Sequence, residues 1–237
     1  MYHTDLNKIP ERSLTDKCIV LDLDETLVHS HGEANIDLLK ELKIFTNPEH
    51  YDLREKVYKI TMEDVVDKKG AGVKTEMWGI LRPHVREFLI TCFSYFKVVI
   101  VWSAGSKNYV HAIVDKIFTD LPRPVVIYTR DDIEKLPNTT LIKPLKKLID
   151  KVPGLNKHMS LENTFILDDR TSVFLECNPD NGVEIPAYKP AFTLSSIKSD
   201  DIALKQFTQW LMTPEVRNSK DIRELDKKKI FETSIMI

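Results

Sequence analysis

The chain has no long hydrophobic run. None of its 237 residues lie in an apolar stretch approaching the ~18 needed to span a bilayer, which excludes a transmembrane helix. Its opening, Met1-Tyr2-His3-Thr4-Asp5-Leu6, carries no signal-peptide hydrophobic region. It has little cysteine. Cys18, Cys92 and Cys177 are far apart and odd in number, which argues against a zinc site or a disulfide framework. Each reads as a small core residue in a reducing compartment. It also lacks an excess of either charge. Lys and Arg total 34 against 36 for Asp and Glu, a net −2, so there is no electrostatic case for nucleic acid or an anionic membrane. There is no internal repeat and no low-complexity tract. These absences lead us to expect a soluble intracellular monomer, nuclear or cytoplasmic.

What is present is an ordinary globular composition, 42% hydrophobic and 30% charged. The length suits one domain with a full core and room for an inserted segment. The most informative stretch is Ile19-Val20-Leu21-Asp22-Leu23-Asp24-Glu25-Thr26-Leu27-Val28. It begins as a strand buried on both faces. It then places two carboxylates two positions apart, on one face of an extended chain. Like charges that close are costly to bury, unless a cation or an anionic substrate needs the pair.

Strands are predicted over residues 17–23, 96–102, 124–129 and 163–167. Helices are predicted over residues 83–95, 106–118, 144–152 and 200–212. The alternation argues for an α/β fold with a parallel sheet between helices. Residues 30–78 break the rhythm and read as an inserted flap or cap. Within it, residues 57–62 and 73–78 are expected to pair as a hairpin across residues 67–70, and residues 35–42 to form a short helix. The core is expected over about residues 14–213, with a charged tail at 214–237, helical or frayed at its end.

In an open parallel sheet, ligands bind beyond the carboxyl ends of the strands. Those ends deliver Asp22 and Asp24, then Ser103, Ala104, Gly105 and Ser106, then Lys143 before a helix, then Asp168 and Asp169. Several carboxylates in one crevice make a hard-oxygen site for Mg²⁺. A lysine and a cation can neutralise phosphate oxygens as charge develops. A serine hydroxyl and helix N-terminal amides can donate to an anion. A carboxylate can attack phosphorus and form an aspartyl-phosphate. The set points to phosphoryl transfer. The bland readings are a helix N-cap for Ser103, a solvated lysine for Lys143 and a capped turn for Asp168-Asp169. His29 and His84 read as structural, and Trp78 and Trp102 as core aromatics.

Asp22-Leu23-Asp24-Glu25-Thr26 resembles the first motif of haloacid dehalogenase (HAD) superfamily phosphatases. Leu27-Val28-His29-Ser30, with Leu81-Arg82-Pro83-His84-Val85, narrows the resemblance to phosphatases of the RNA polymerase II carboxy-terminal domain and their small and Dullard-like relatives. Trp102-Ser103-Ala104, Leu141-Ile142-Lys143, Ile166-Leu167-Asp168-Asp169 and Asn178-Pro179-Asp180-Asn181 are similar to the later motifs. The resemblance implies a HAD-like Rossmannoid three-layer fold and a Mg²⁺-dependent protein serine/threonine phosphatase. It implies Asp22 as nucleophile and Asp24 as general acid and base, with a raised pKa. It places the metal on Asp22, the Asp24 backbone carbonyl and an acid of Asp168-Asp169. It assigns Ser103, Ala104 and Lys143 to the phosphate, Thr26 to orienting Asp24, and Arg130 to the site's edge. The implied partner is a phosphorylated protein or peptide, the polymerase tail being one candidate. The chain departs from the pattern at Asp169, where relatives often carry asparagine, and in its longer stretch after Ser30. Two other readings stand beside this one: a small-molecule phosphatase of the superfamily, and a non-catalytic binding module of the same fold. Retention of both Asp22 and Asp24 argues against the latter.

Overall fold

The computed structural model describes residues 3–32, 36–65 and 72–232. In chain order the strands are β1 His3–Thr4, β2 Cys18–Leu21, β3 Val28–His31, β4 Val57–Val65, β5 Gly72–Leu81, β6 Val98–Trp102, β7 Val126–Tyr128, β8 Glu134–Lys135, β9 Leu141–Ile142, β10 Thr164–Asp168 and β11 Gly182–Glu184. The helices are α1 Ile36–Glu41, α2 Val85–Tyr95, α3 Lys107–Ile117, α4 Leu145–Lys151, α5 Leu194–Lys198, α6 Ala203–Leu211 and α7 Pro214–Asn218.

Five strands run parallel in the order β7-β6-β2-β10-β11, and β1 adds an antiparallel edge beside β7. β2 and β6 are buried at every position, as strands covered on both faces must be. Alternate residues serve opposite faces. Ile19 and Leu21 pack with α2, α3 and α6, while Cys18 and Val20 pack with α4. Chain direction explains that split. The steps β2 to β6 and β6 to β7 go one way across the sheet. The step from β7 to β10 returns past β2. Right-handed crossovers therefore put α2 and α3 on one face and α4 on the other. The strand order reverses between β2 and β10, where a doubly wound sheet opens its ligand crevice.

The expected insertion is a three-stranded antiparallel sheet, β3-β5-β4. The expected hairpin is its β4-β5 pair, with Val57 opposite Ile80 and Met62 opposite Thr75. Its turn at residues 67–70 lies outside the described residues. The expected helix is present as α1. Leu39, Ile44, Leu53, Trp78 and Ile80 give the insertion its own small core, closed by Tyr188 and Ile197. The charged tail is better anchored than its composition implies. Val216, Ile222 and Ile230 join the main core, and the buried Lys17 ammonium donates to the carbonyls of Arg217 and Ser219 at 3.1 and 2.8 Å, closing the end of α7.

Candidate active site

Asp22 is the first residue beyond β2, and its N–H donates to Leu167 of β10 at 3.0 Å. The chain then turns sharply. Leu27 and Val28 N–H both donate to the Leu23 carbonyl, and Glu25 N–H to Val28, at 2.7–3.0 Å. Glu25 sits at φ 61, a left-handed conformation that costs a side-chain-bearing residue about 1–2 kcal/mol. Its carboxylate meets His29 at 2.9 Å, and Tyr188 N–H donates to its carbonyl at 2.7 Å. Arg82 holds the turn from beneath. Fully buried, it donates to the Thr26 and Pro186 carbonyls at 3.1 and 2.8 Å and to both oxygens of Asp201 at 2.7 and 3.1 Å. Arg82→Met leaves those acceptors unpaired. It is expected to lower stability by about 3–5 kcal/mol, read from the urea midpoint. Arg82→Lys keeps the charge without the fork and is expected to recover only part of that loss.

The acids converge as expected. Asp22, Asp168 and Asp169 each offer an oxygen within 4.8 Å of the others. Lys143 is fully buried, and its ammonium donates to Asp22 Oδ1 at 2.7 Å and Asp168 Oδ2 at 2.6 Å. It is not the solvated lysine of the bland reading. Nor does it line the cavity: it lies under the floor, clamped between two acids. Burial alone would pull its pKa down, but Asp168 and Asp22 outweigh that and hold it above the ordinary lysine value. Its N–H donates to Val173 at 2.8 Å, while Asn178 caps Leu145 N–H at 2.9 Å and donates back to the Lys143 carbonyl at 3.4 Å. Thus the Asn178 loop fastens the lysine and the first turn of α4 together. Asp22 is raised well above the carboxylate range, first by burial and then by the charge of Asp168. Asp169 is raised by burial and by Asp168, and Asp24 by burial.

An open cavity of about 620 Å³ lies over this floor. Asp22, Asp24, Ser103, Ala104, Arg130 and Asp169 line it, six of the nine residues expected. Ser103 is not a helix cap: its Oγ accepts from Gly105 N–H at 3.1 Å, and Ser106 occupies the N-cap of α3. Arg130 is tied to the same loop, its Nε donating to the Ala104 carbonyl at 2.9 Å. Thr26 requires a correction. Its buried hydroxyl has no hydrogen-bond partner among the described residues, so it does not orient Asp24. Tyr109 of α3 does, donating to Asp24 Oδ1, with Ser30 beside it. No motif marks Tyr109. Its place one turn past Ser106, at the end facing the crevice, was the available signal. Met62, Met77, Arg170 and Lys189 also line the cavity and carried no motif signal. His29 and His84 are structural, paired with Glu25 and Asp200. Trp78 and Trp102 are fully buried.

The family model for NLI interacting factor-like phosphatases matches residues 17–223, nearly the whole described chain. The protein belongs to that family. As a member of the NLI interacting factor-like phosphatases, it has the fold expected of it. It is similar to an arginine-to-alanine variant of the fission yeast RNA polymerase II CTD phosphatase Fcp1 bound to beryllium fluoride, with a TM-score of 0.55 and 17% identity. That match covers 82% of this chain and 49% of the other. A second structure of Fcp1, described as an essential RNA polymerase II CTD phosphatase, is similar with a TM-score of 0.56 and 15% identity over 89% of this chain and 58% of that one. The chain thus spans about half the length of these structures. At such identity the likeness establishes the α/β, HAD-like fold alone. No curated protein is a significant match. No helix among the described residues is long and apolar enough to cross a membrane.

Proposed function

We propose that the protein is a Mg²⁺-dependent phosphatase that removes phosphate from phosphoserine or phosphothreonine on a protein, through an aspartyl-phosphate on Asp22. One observation carries the reading: a buried carboxylate at a cavity floor, neutralised by Lys143 and grouped with two further acids, below a second carboxylate held by a tyrosine. The donor set suits a hard cation. Asp22, Asp168 and Asp169 would hold Mg²⁺ with the Asp24 backbone carbonyl, and the bound ion would neutralise phosphate oxygens as charge develops.

Lys143 donates to Oδ1 of Asp22 and leaves Oδ2 for attack on phosphorus. As the bond from Asp22 forms, the bond to the serine or threonine oxygen breaks, and Asp24 passes its proton to that oxygen. Asp24 then takes a proton from water. The water oxygen attacks phosphorus, the bond to Asp22 breaks, and inorganic phosphate leaves. The Ser103 hydroxyl, the loop at Ala104 and Ser106, and Arg130 stand on the cavity wall to receive the phosphate oxygens.

The cavity is open, and the inserted sheet supplies one wall through Met62 and Met77, which suits a peptide better than an enclosed metabolite. The two Fcp1 neighbours are named for the polymerase tail, which makes it the first substrate to try here. Turnover on singly phosphorylated tail repeats, unrelated phosphopeptides, and sugar and nucleotide phosphates tests this. A clear preference for a sugar or nucleotide phosphate would replace the protein substrate with a small molecule.

Cation binding makes a separate prediction. In the cation-free protein Asp22 and Asp169 are raised above the ordinary carboxylate value, so the folded state holds protons more tightly than the unfolded. That contribution is complete below the ordinary value and is lost as pH rises through the folded one. Mg²⁺ binds the ionised acids, so its stabilisation grows with pH. At about 100 times its Kd we expect roughly 2.7 kcal/mol, or about 5–10 °C in melting temperature, near pH 7.5. The shift should shrink by pH 5. A shift independent of pH counts against cation binding at these carboxylates.

A further inference from the structure

We propose that the inserted sheet positions the general acid through a chain of three hydroxyls, Tyr58, Ser30 and Tyr109, ending on Asp24. The inference rests on the assignment of Asp24 above and adds three positioning residues to it.

The chain is built by strand register. Ser30 of β3 and Tyr58 of β4 both lie opposite Gly79 of β5. A Cβ at Gly79 would stand 2.3 Å from the Tyr58 hydroxyl oxygen and 2.6 Å from the His29 carbonyl oxygen, so only glycine leaves the space through which Tyr58 crosses β5. Having crossed, its hydroxyl meets Ser30 Oγ at 2.5 Å. Ser30 Oγ meets the Tyr109 hydroxyl, and Tyr109 donates to Asp24 Oδ1. Each hydroxyl has one proton. Tyr109 commits its proton to Asp24, so Ser30 donates to Tyr109 and Tyr58 donates to Ser30. Every link has one donor, and all protons point toward Asp24.

Two consequences follow. Oδ1 of Asp24 is occupied by a donor, so the proton passed to the leaving oxygen rides on Oδ2. The acid's aim is also coupled to the insertion, since two of the three hydroxyls belong to β3 and β4. This insertion is therefore a positioning wall for the acid as well as a wall of the cavity.

The test uses the full chain with Mg²⁺ and the variants Tyr109→Phe, Ser30→Ala, Ser30→Thr and Tyr58→Phe, each checked for an unchanged melting profile. General acid–base catalysis contributes about 10²–10⁴-fold, and a misaimed acid forfeits part of that. On a phosphoserine peptide, Tyr109→Phe is expected to lower kcat by about 10–100-fold with KM within about twofold. Ser30→Ala and Tyr58→Phe should lose progressively less, and Ser30→Thr should recover most of the serine's effect. With p-nitrophenyl phosphate, Tyr109→Phe should release about one nitrophenolate per site quickly and then turn over slowly. In an Asp24→Asn background, Tyr109→Phe should cost nothing further. Losses that appear in KM, that add to Asp24→Asn, or that Ser30→Thr does not rescue would overturn the chain and leave the phosphatase reading intact. If wild type and Asp22→Asn behave alike on every phosphate ester, the phosphatase reading itself fails and takes the chain with it.

Discussion

Asp22→Asn is expected to abolish turnover on every phosphate ester, by on the order of 10⁵-fold in kcat, while leaving the fold intact. The substitution is isosteric and keeps an oxygen to accept from the Lys143 ammonium. It removes the nucleophile, since an amide oxygen cannot form and release the acyl phosphate. It also removes one anionic ligand, so the Mg²⁺-dependent rise in melting temperature should weaken with it. Stability should move the other way. Burial and the charge of Asp168 both disfavour an ionised Asp22 in the wild-type fold. A neutral side chain relieves that strain, and the cation-free variant should melt at or above the wild-type temperature. Kinetics with phosphopeptides and p-nitrophenyl phosphate, beside melting curves in EDTA and in Mg²⁺, read all three effects. Activity that survives Asp22→Asn removes the covalent mechanism.

Asp24→Asn is expected to separate the two chemical steps. p-Nitrophenolate leaves without a proton, so phosphorylation of Asp22 should stay fast with that substrate. Hydrolysis of the aspartyl-phosphate still needs a base for water, and the amide cannot serve. Rapid mixing should show a burst of about one nitrophenolate per site, then a steady rate lowered by about 10²–10⁴-fold. A serine alkoxide leaves only with a proton, so a phosphoserine peptide should show no burst and slow turnover from the first cycle. Phosphate should remain on the protein after quenching only with the aryl ester. Equal losses on both substrates without a burst would assign Asp24 to metal or phosphate binding rather than proton transfer.

The legible parts of this molecule were those written in contiguous residues. The run from Ile19 to Leu21 announces a doubly buried strand by composition alone, and the carboxylates after it could not belong to the core. The helices expected over residues 83–95, 106–118 and 200–212 are present as α2, α3 and α6, and the alternation of elements set the parallel sheet. Short elements escaped. β1 and β11 offer two and three residues at the sheet edges, too few for any period to show. The tail read as charged because its anchors, Val216, Ile222 and Ile230, are spread singly among charges.

Within the site the boundary is sharper. That acids, a lysine and a serine meet at one sheet edge followed from strand order and the rule for strand ends. That Lys143 bridges two acids under the floor did not follow, since the same sequence would suit a lysine reaching up to phosphate. Thr26 belongs to the motif and is expected to orient Asp24, yet its buried hydroxyl has no partner among the described residues, and the hydroxyls gathered at Asp24 are those of Tyr109, Ser30 and Tyr58. These residues come from α3, β3 and β4, and only a register that sets Ser30 and Tyr58 both across from Gly79 joins them. The sequence by itself determined the sheet, the acid pair and the class of chemistry, because local hydrophobic patterning and strand-end geometry act over a few residues. Tertiary structure alone decided which hydroxyl meets Asp24 and which cation meets Asp22, because those contacts are made by distances between residues remote along the chain.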